Sequence, residues 1–153
     1  MELKIEDITN LGFGVGRVAL PNGSKWVVFV PFVLPGEVVT AKVLNNFATY
    51  SEAELVEVLE PSKDRVVPQC KYFSICGGCQ YQHMSIESQR MWKRQQVATA
   101  ITRIGGMGNV DVNEVVGTDN IYGYRTKLTP HHLSFNGEHP PAIGFRSRLS
   151  NVN

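Results

Sequence analysis

The sequence predicts a mixed, β-rich α+β chain, and three observations carry that expectation. Roughly the first sixty residues set short apolar runs between Gly, Pro and Asn turn residues, the pattern of an all-β unit. The segment from Ile86 to the Gly105-Gly106 pair has helical periodicity. The residues after it return to short alternating runs.

The strands follow in order. Leu3, Ile5 and Ile8 sit on a partly alternating segment. Gly12, Gly14 and Gly16 read as a flexible turn, and Arg17-Val18-Ala19-Leu20 as the extended run after it. Because this glycine triplet precedes a strand, it does not fit a dinucleotide-binding loop. Pro21-Asn22-Gly23 is a hairpin signal, since Asn-Gly tolerates the positive φ of a tight turn. Trp26-Val27-Val28-Phe29-Val30 is a β-branched and aromatic strand, and Pro35-Gly36 marks the next turn. Val38 to Leu44 alternates, as does much of Ala53 to Leu59. Five short strands with turns between them suit a closed antiparallel barrel of the OB type.

Pro61-Ser62 ends that unit, so the barrel is expected over residues 1–62, with a boundary between Glu60 and Pro68. Residues 68–153 hold a cysteine loop, one helix and an antiparallel β region. Ser85 is the expected N-cap, with Glu87 in the first turn where the helix dipole favours an acid. Trp92, Val97, Ile101 and Ile104 share a broad helical face, and Arg90, Lys93, Arg94 and Arg103 lie mostly elsewhere. Gly105-Gly106 stops the helix. Val110 to Val116 alternates, Tyr124 to Leu133 reads as a strand, Asn136-Gly137 as a hairpin turn and Ala142 to Ser147 as the return strand.

Composition bounds the function classes. Hydrophobic residues make up 42% and charged residues 19% of the 153 residues, which excludes a disordered, collagen-like or coiled-coil chain. No run of about 18 apolar residues is present, so no transmembrane helix is expected. Met1 to Thr9 lacks the basic start and apolar block of a secretory signal. A cytoplasmic location with no membrane partner is the expectation. The net charge of +1 hides an asymmetry: residues 1–65 hold six Lys/Arg against nine Asp/Glu, and residues 66–153 hold nine against five. A basic second half suggests an anionic partner.

All three cysteines fall within ten residues, at Cys70, Cys76 and Cys79, in the spacing C-x5-C-G-G-C. An odd count with no distant partner argues against a disulfide framework. Three thiolates this close can reach one metal centre, and Gly77 and Gly78 let the backbone fold around it. A cubane iron–sulfur cluster wants four thiolates. A zinc site could take the three cysteines plus His83. An electron-transfer role fits poorly, because the ferredoxin motif uses C-x2-C-x2-C spacing.

Pro68-Gln69-Cys70 followed by Cys76-Gly77-Gly78-Cys79-Gln80-Tyr81-Gln82-His83 resembles the signature of the RNA uracil-5-methyltransferases that carry an iron–sulfur cluster. Gly12-Phe13-Gly14-Val15-Gly16-Arg17, Val28-Phe29-Val30-Pro31 and Leu34-Pro35-Gly36-Glu37 look like that family's N-terminal TRAM domain, an OB-like RNA-binding barrel. Pro61-Ser62 through Arg65 and Pro68 looks like its junction, and Gly123-Tyr124-Arg125 with Gly144-Phe145-Arg146 like its central domain. The resemblance implies that Cys70, Cys76 and Cys79 are three of four ligands of a 4Fe-4S cluster. The family's fourth Cys lies a little beyond the Gly-Phe-Arg strand, and this sequence has none there. The chain therefore reads as the N-terminal part of a longer protein, or a truncated product, without the methyltransferase domain. It also implies that His83 packs the cluster loop rather than ligating.

Methylation at uracil C5 needs a cysteine that attacks C6, a methyl group from S-adenosylmethionine and a base for the C5 proton. Every cysteine here belongs to the loop, so no catalytic residue is expected, and S-adenosylmethionine would bind in the absent domain. The expected partner is tRNA or rRNA, no obligate protein partner is indicated, and the alternative is a zinc-containing RNA-binding module without catalytic activity. Trp26, Phe29 and Phe32 are candidates to stack on bases, as aromatics do on OB barrels. Arg17 and Lys25 flank the hairpin and could meet phosphate. Arg125 with Lys127, and Arg146 with Arg148, alternate on two expected hairpin-linked strands and would form a four-cation patch. His131 and His132 point to opposite strand faces and make poor joint ligands.

Overall fold

The structure, a computed structural model, describes residues 1–118, 120–132, 137 and 143–147. Five strands close into a barrel: β1 (Glu2–Ile8), β2 (Phe13–Ala19), β3 (Lys25–Pro31), β4 (Val38–Asn46) and β5 (Tyr50–Glu60), in the order β1-β2-β3-β5-β4. The turns fall where the sequence signals them. Gly23 at φ 81° and Gly36 at φ 92° sit in the two tight turns, and Asn22 Oδ1 accepts from the Ser24 amide at 3.0 Å.

One pairing departs from the antiparallel expectation. β3 and β5 run parallel, with Val27 opposite Tyr50, Val28 opposite Ser51 and Phe29 opposite Glu52. The reason is topological. Strand direction cannot alternate all the way round a ring with an odd number of members, so one seam must be parallel.

The glycine triplet also behaves differently from a turn. Only Gly12 lies outside β2, and Gly14 and Gly16 are interior strand positions. A Cβ on Gly14 would stand 2.2 Å from Val33 Cγ2, and one on Gly16 would stand 2.5 Å from the Leu3 side chain. The small barrel has no room for a side chain there, so the motif is read by packing.

The barrel core is Leu3, Ile5, Val28, Val30, Val33, Val39, Ala41 and Ala53. A second cluster, Ile8, Leu34 and Met84 with Tyr81 and Trp92 against it, joins one end of the barrel to the residues that follow. The Tyr81 hydroxyl and the Gln96 amide both donate to the Thr9 carbonyl, at 3.0 and 3.1 Å. The β1–β2 loop is therefore pinned under the second half of the chain.

Among the described residues one helix, α1 (Ile86–Arg103), forms as expected. Ser85 caps it, its hydroxyl accepting from the Ser88 amide at 3.3 Å. Of its expected apolar face, Trp92 packs onto the second cluster, but Val97 is exposed and Ile104 is 87% exposed. No described residue covers that end of the helix. No helix among the described residues is long and apolar enough to cross a membrane.

The β region after the helix is much shorter than its alternation suggests. Residues 110–118 and 124–130 form no strand. Among the described residues after the helix, β6 (His131–His132) and β7 (Ile143–Gly144) pair as a two-stranded antiparallel sheet. Alternation specifies a strand where one face is buried, and residues 120–132 are exposed on both. Asn136 of the expected turn, with Leu133 and Ala142 of the flanking runs, lies outside the described residues.

Candidate nucleic-acid interface and cysteine loop

Strand alternation and register place an aromatic run on the outer face of the barrel. Phe13 on β2, Phe29 on β3 and Tyr50 on β5 all point away from the core, where Gly14, Val28, Val30 and Ser51 point inward. Phe13 and Phe29 meet edge to face at 6.5 Å between ring centroids, and Phe29 and Tyr50 do so at 5.2 Å. Phe47, in the β4–β5 turn and 44% exposed, stacks on Tyr50 at 4.6 Å and 22°. That turn is closed by the Phe47 amide donating to the Tyr50 carbonyl at 2.8 Å, which fixes the two rings as a pair.

The three aromatic candidates therefore divide. Phe29 belongs to this run. Trp26 packs against the barrel core, and its indole N–H donates to Ser51 Oγ at 2.8 Å. Phe32 turns away at φ 61° and meets Phe73 of the cysteine loop at 5.1 Å. Phe13, Tyr50 and Phe47 lie on separate elements, and only the register brings them together.

Arg17 shares the outer face, opposite Val27, and pairs with Glu6. Lys25 is exposed at the start of β3. Glu52 stands opposite Phe29 on the same face. Residues 1–60 carry four Lys/Arg against eight Asp/Glu, so the barrel offers ring faces rather than a field that draws phosphate.

Below the barrel, Glu37 is fully buried and ties the first unit to the second. The Arg65 guanidinium donates to both its carboxylate oxygens, and the Leu34 and Ser62 amides donate to one each, at 2.8 and 3.1 Å. Burial pushes the Glu37 carboxyl up, but the hydrogen bonds from Arg65, Leu34 and Ser62 outweigh it and hold the pKa below its ordinary 4.5.

The cysteine loop is irregular and held by short turns. The Phe73 amide donates to the Cys70 carbonyl at 3.0 Å and the Cys76 amide to the Tyr72 carbonyl at 2.9 Å. Cys70 and Cys76 are half-buried, Cys79 is exposed, and all three are free thiols. The Gly78 amide already donates to Cys76 Sγ at 3.4 Å. The chemistry of this donor set suits a thiolate-bound centre, yet no three His, Cys, Asp or Glu side chains among the described residues converge on one metal position. His83 does not join the cysteines in such a group. It is 1% exposed and lies against Phe32 and Phe73, with ring centroids at 6.3 and 5.3 Å. The chain then returns to the loop: the Gly77 amide donates to the Arg146 carbonyl at 3.1 Å, and Ser147 forms an antiparallel bridge with Cys76.

The expected four-cation patch is not assembled on paired strands. Arg125 and Lys127 are exposed in an irregular segment before β6, Arg146 follows β7 beside the cysteine loop, and Arg148 lies outside the described residues. Two helix cations were given no role by the sequence pattern. Arg90 donates to the Thr118 carbonyl at 2.9 Å, and Arg94 contacts the Val112 carbonyl and Asp111, so both strap residues 111–118 along α1. Between α1, the cysteine loop and residues 115–118 and 120–124 this leaves a cleft of about 810 Å³.

Residues 1–56 match the TRAM domain. The TRAM barrel is joined to residues that recur with it in larger proteins. The chain is 42% identical over 127 residues to an uncharacterised RNA methyltransferase of Listeria monocytogenes, covering 83% of this chain and 27% of that protein. It is 40% identical over 139 residues to an uncharacterised RNA methyltransferase of Nostoc, covering 90% of this chain and 29% of the relative. A tRNA (uracil(54)-C(5))-methyltransferase of Schizosaccharomyces pombe is 36% identical over 155 aligned positions, 97% of this chain and 29% of that protein. The chain thus spans between a quarter and a third of the length of these curated relatives, and it is a homologue of proteins named RNA methyltransferase.

Proposed function

We propose that this chain is the RNA-handling part of an S-adenosylmethionine-dependent RNA (uracil-5-)-methyltransferase acting on tRNA or rRNA. The observation that carries the proposal is the run of four rings, Phe13, Phe29, Tyr50 and Phe47, across the outer face of the TRAM barrel. OB-type barrels hold single strands by stacking bases on such rings, a contact tolerant of sequence because every base has a π-face. The similarity to a tRNA (uracil(54)-C(5))-methyltransferase over nearly the whole chain supports uracil as the base modified.

In this reading the barrel engages unpaired bases by their faces. Phosphate attraction falls to the basic second half, with Arg125, Lys127, Arg146 and Arg148, and to Arg17 and Lys25 beside the rings. Cys70, Cys76 and Cys79 hold a 4Fe-4S cluster, which needs a fourth thiolate that these 153 residues do not contain. The Gly78 amide on Cys76 Sγ and the return of Arg146 and Ser147 to the loop support that role. Methyl transfer to C5 moves no net electrons, so the bound cluster would fix the shape of the loop. The three thiols being taken, these residues supply binding and positioning, and attack on C6 belongs to a cysteine elsewhere.

Fluorescence anisotropy with labelled single-stranded and fully duplex RNA of equal length tests the proposal. Single-stranded RNA is expected to bind about tenfold more tightly, the worth of one or two stacked bases. Equal affinity for the duplex, or no binding to either, would overturn it.

A further inference from the structure

We infer that the cleft between α1, the cysteine loop and residues 115–118 and 120–124 is a seat for one extruded RNA nucleotide. The inference rests on the reading that the chain binds RNA, and names a second place where it does so. The cleft holds about 810 Å³, within the range of roughly 300–1,000 Å³ typical of small-ligand sites. One wall is α1, where Arg90 and Lys93 stand one turn apart and both line the cavity. Tyr122 and Tyr124 line it from the segment after the helix. Gln69 and Gln80 line it from the loop side.

Each part has a matching piece of a nucleotide. Two cations one helical turn apart suit a phosphate, and among the described lining residues Glu87 is the one acid. Tyrosine rings suit a base plane, and amides carry both a donor and an acceptor for a base edge. The wall is also built to keep its shape. Arg90 holds the Thr118 carbonyl at 2.9 Å, and the Tyr122 hydroxyl donates to Gln82 Oε1 at 3.4 Å, so Thr118 is tied to the helix and Tyr122 to the loop. Cys79 lines the same cavity, which places the thiol loop at its mouth. Charge favours this occupant over a protein segment: the acidic residues concentrate on the barrel and the cations along this helix.

Photocrosslinking tests the inference with the full chain and a hairpin RNA carrying a single unpaired 4-thiouridine, alongside binding of the same RNA to Lys93→Ala and Tyr124→Ala. Both side chains are exposed, and unchanged circular dichroism and melting are the control for folding. Expected are crosslinks within residues 115–124, about a tenfold affinity loss for Tyr124→Ala, and for Lys93→Ala a salt slope reduced by about one. If RNA binds but both variants behave as wild type and crosslinks fall only on the barrel rings, the inference fails while the RNA-binding reading stands. If no RNA binds, both fail. If the variants change only self-association of the chain, the cleft is a protein contact and the inference fails.

Discussion

Arg65 grips both oxygens of the Glu37 carboxylate, at 2.5 and 2.7 Å, from a position 28 residues later in the chain. Glu37 sits in the turn before β4, and Arg65 lies beyond the end of β5. The pair therefore decides the angle at which everything after the barrel leaves it. Arg65→Ala would strand a buried carboxylate, and is expected to lower the unfolding free energy by about 3 kcal/mol, read from urea denaturation. Arg65→Lys keeps the charge but loses the two-pronged geometry, and should fall between the two.

Acid should act on the same contact. The folded-state pKa of Glu37 lies below its ordinary 4.5. Its contribution to stability is thus fully present above about pH 4.5 and is lost as pH falls through the lower, folded value. Melting temperature followed from pH 6 to pH 3 should drop steeply in the wild type, and less steeply in Glu37→Gln; parallel curves would show that other carboxylates dominate.

Gly14→Ala and Gly16→Ala test how tightly the barrel interior is filled. The added carbon meets Val33 or Leu3 well inside van der Waals contact. Each is expected to destabilise by about 1–3 kcal/mol, the usual range for overpacking. Gly14→Ala combined with Val33→Ala should recover part of the loss, because the clashing methyl is removed.

Ring faces and charges should separate in a salt titration. Phe47→Ala and Tyr50→Ala are expected to weaken single-stranded RNA binding by about 1–3 kcal/mol each while leaving the dependence on salt unchanged. Arg125→Ala and Arg146→Ala should reduce that dependence. A ring variant that altered the slope, or a cation variant that did not, would reassign the contact.

Metal content is the test for the cysteine loop. After anaerobic incubation with iron and sulfide, a version of the chain extended to supply a fourth thiolate is expected to retain both and to lose them in Cys76→Ser, with faster proteolysis within residues 70–83. Zinc in place of iron and sulfide would favour a binding module instead. With all three cysteines in the loop, the purified chain should transfer no methyl group from labelled S-adenosylmethionine to RNA.

The barrel was legible in the sequence because its turns are chemical: Asn22-Gly23 and Pro35-Gly36 dictate backbone geometry whatever surrounds them. Gly14 and Gly16 were misread as turn residues because space, unlike a turn, is a property of the partners, here Val33 and Leu3. Phe29 was found and Phe13, Tyr50 and Phe47 were missed for the same reason: their adjacency depends on register across three strands. Glu37 stood in a recognisable motif, but its link to Arg65 spans most of two strands and a turn. After the helix, alternation at Val110 to Val116 and Tyr124 to Leu133 gave strands their pattern without the buried face that makes such a pattern binding.

The odd membership of the ring leaves a lasting mark on the molecule. Its unavoidable parallel join, between β3 and β5, is knitted by only three residue pairs, and Phe29 and Tyr50 stand on either bank of it. Anything laid flat across those two rings bridges a seam fastened no more densely than the three-pair joins of β1 with β2 and β4. Cargo and container would then brace each other, and a barrel gripping a strand should be harder to open than an idle one.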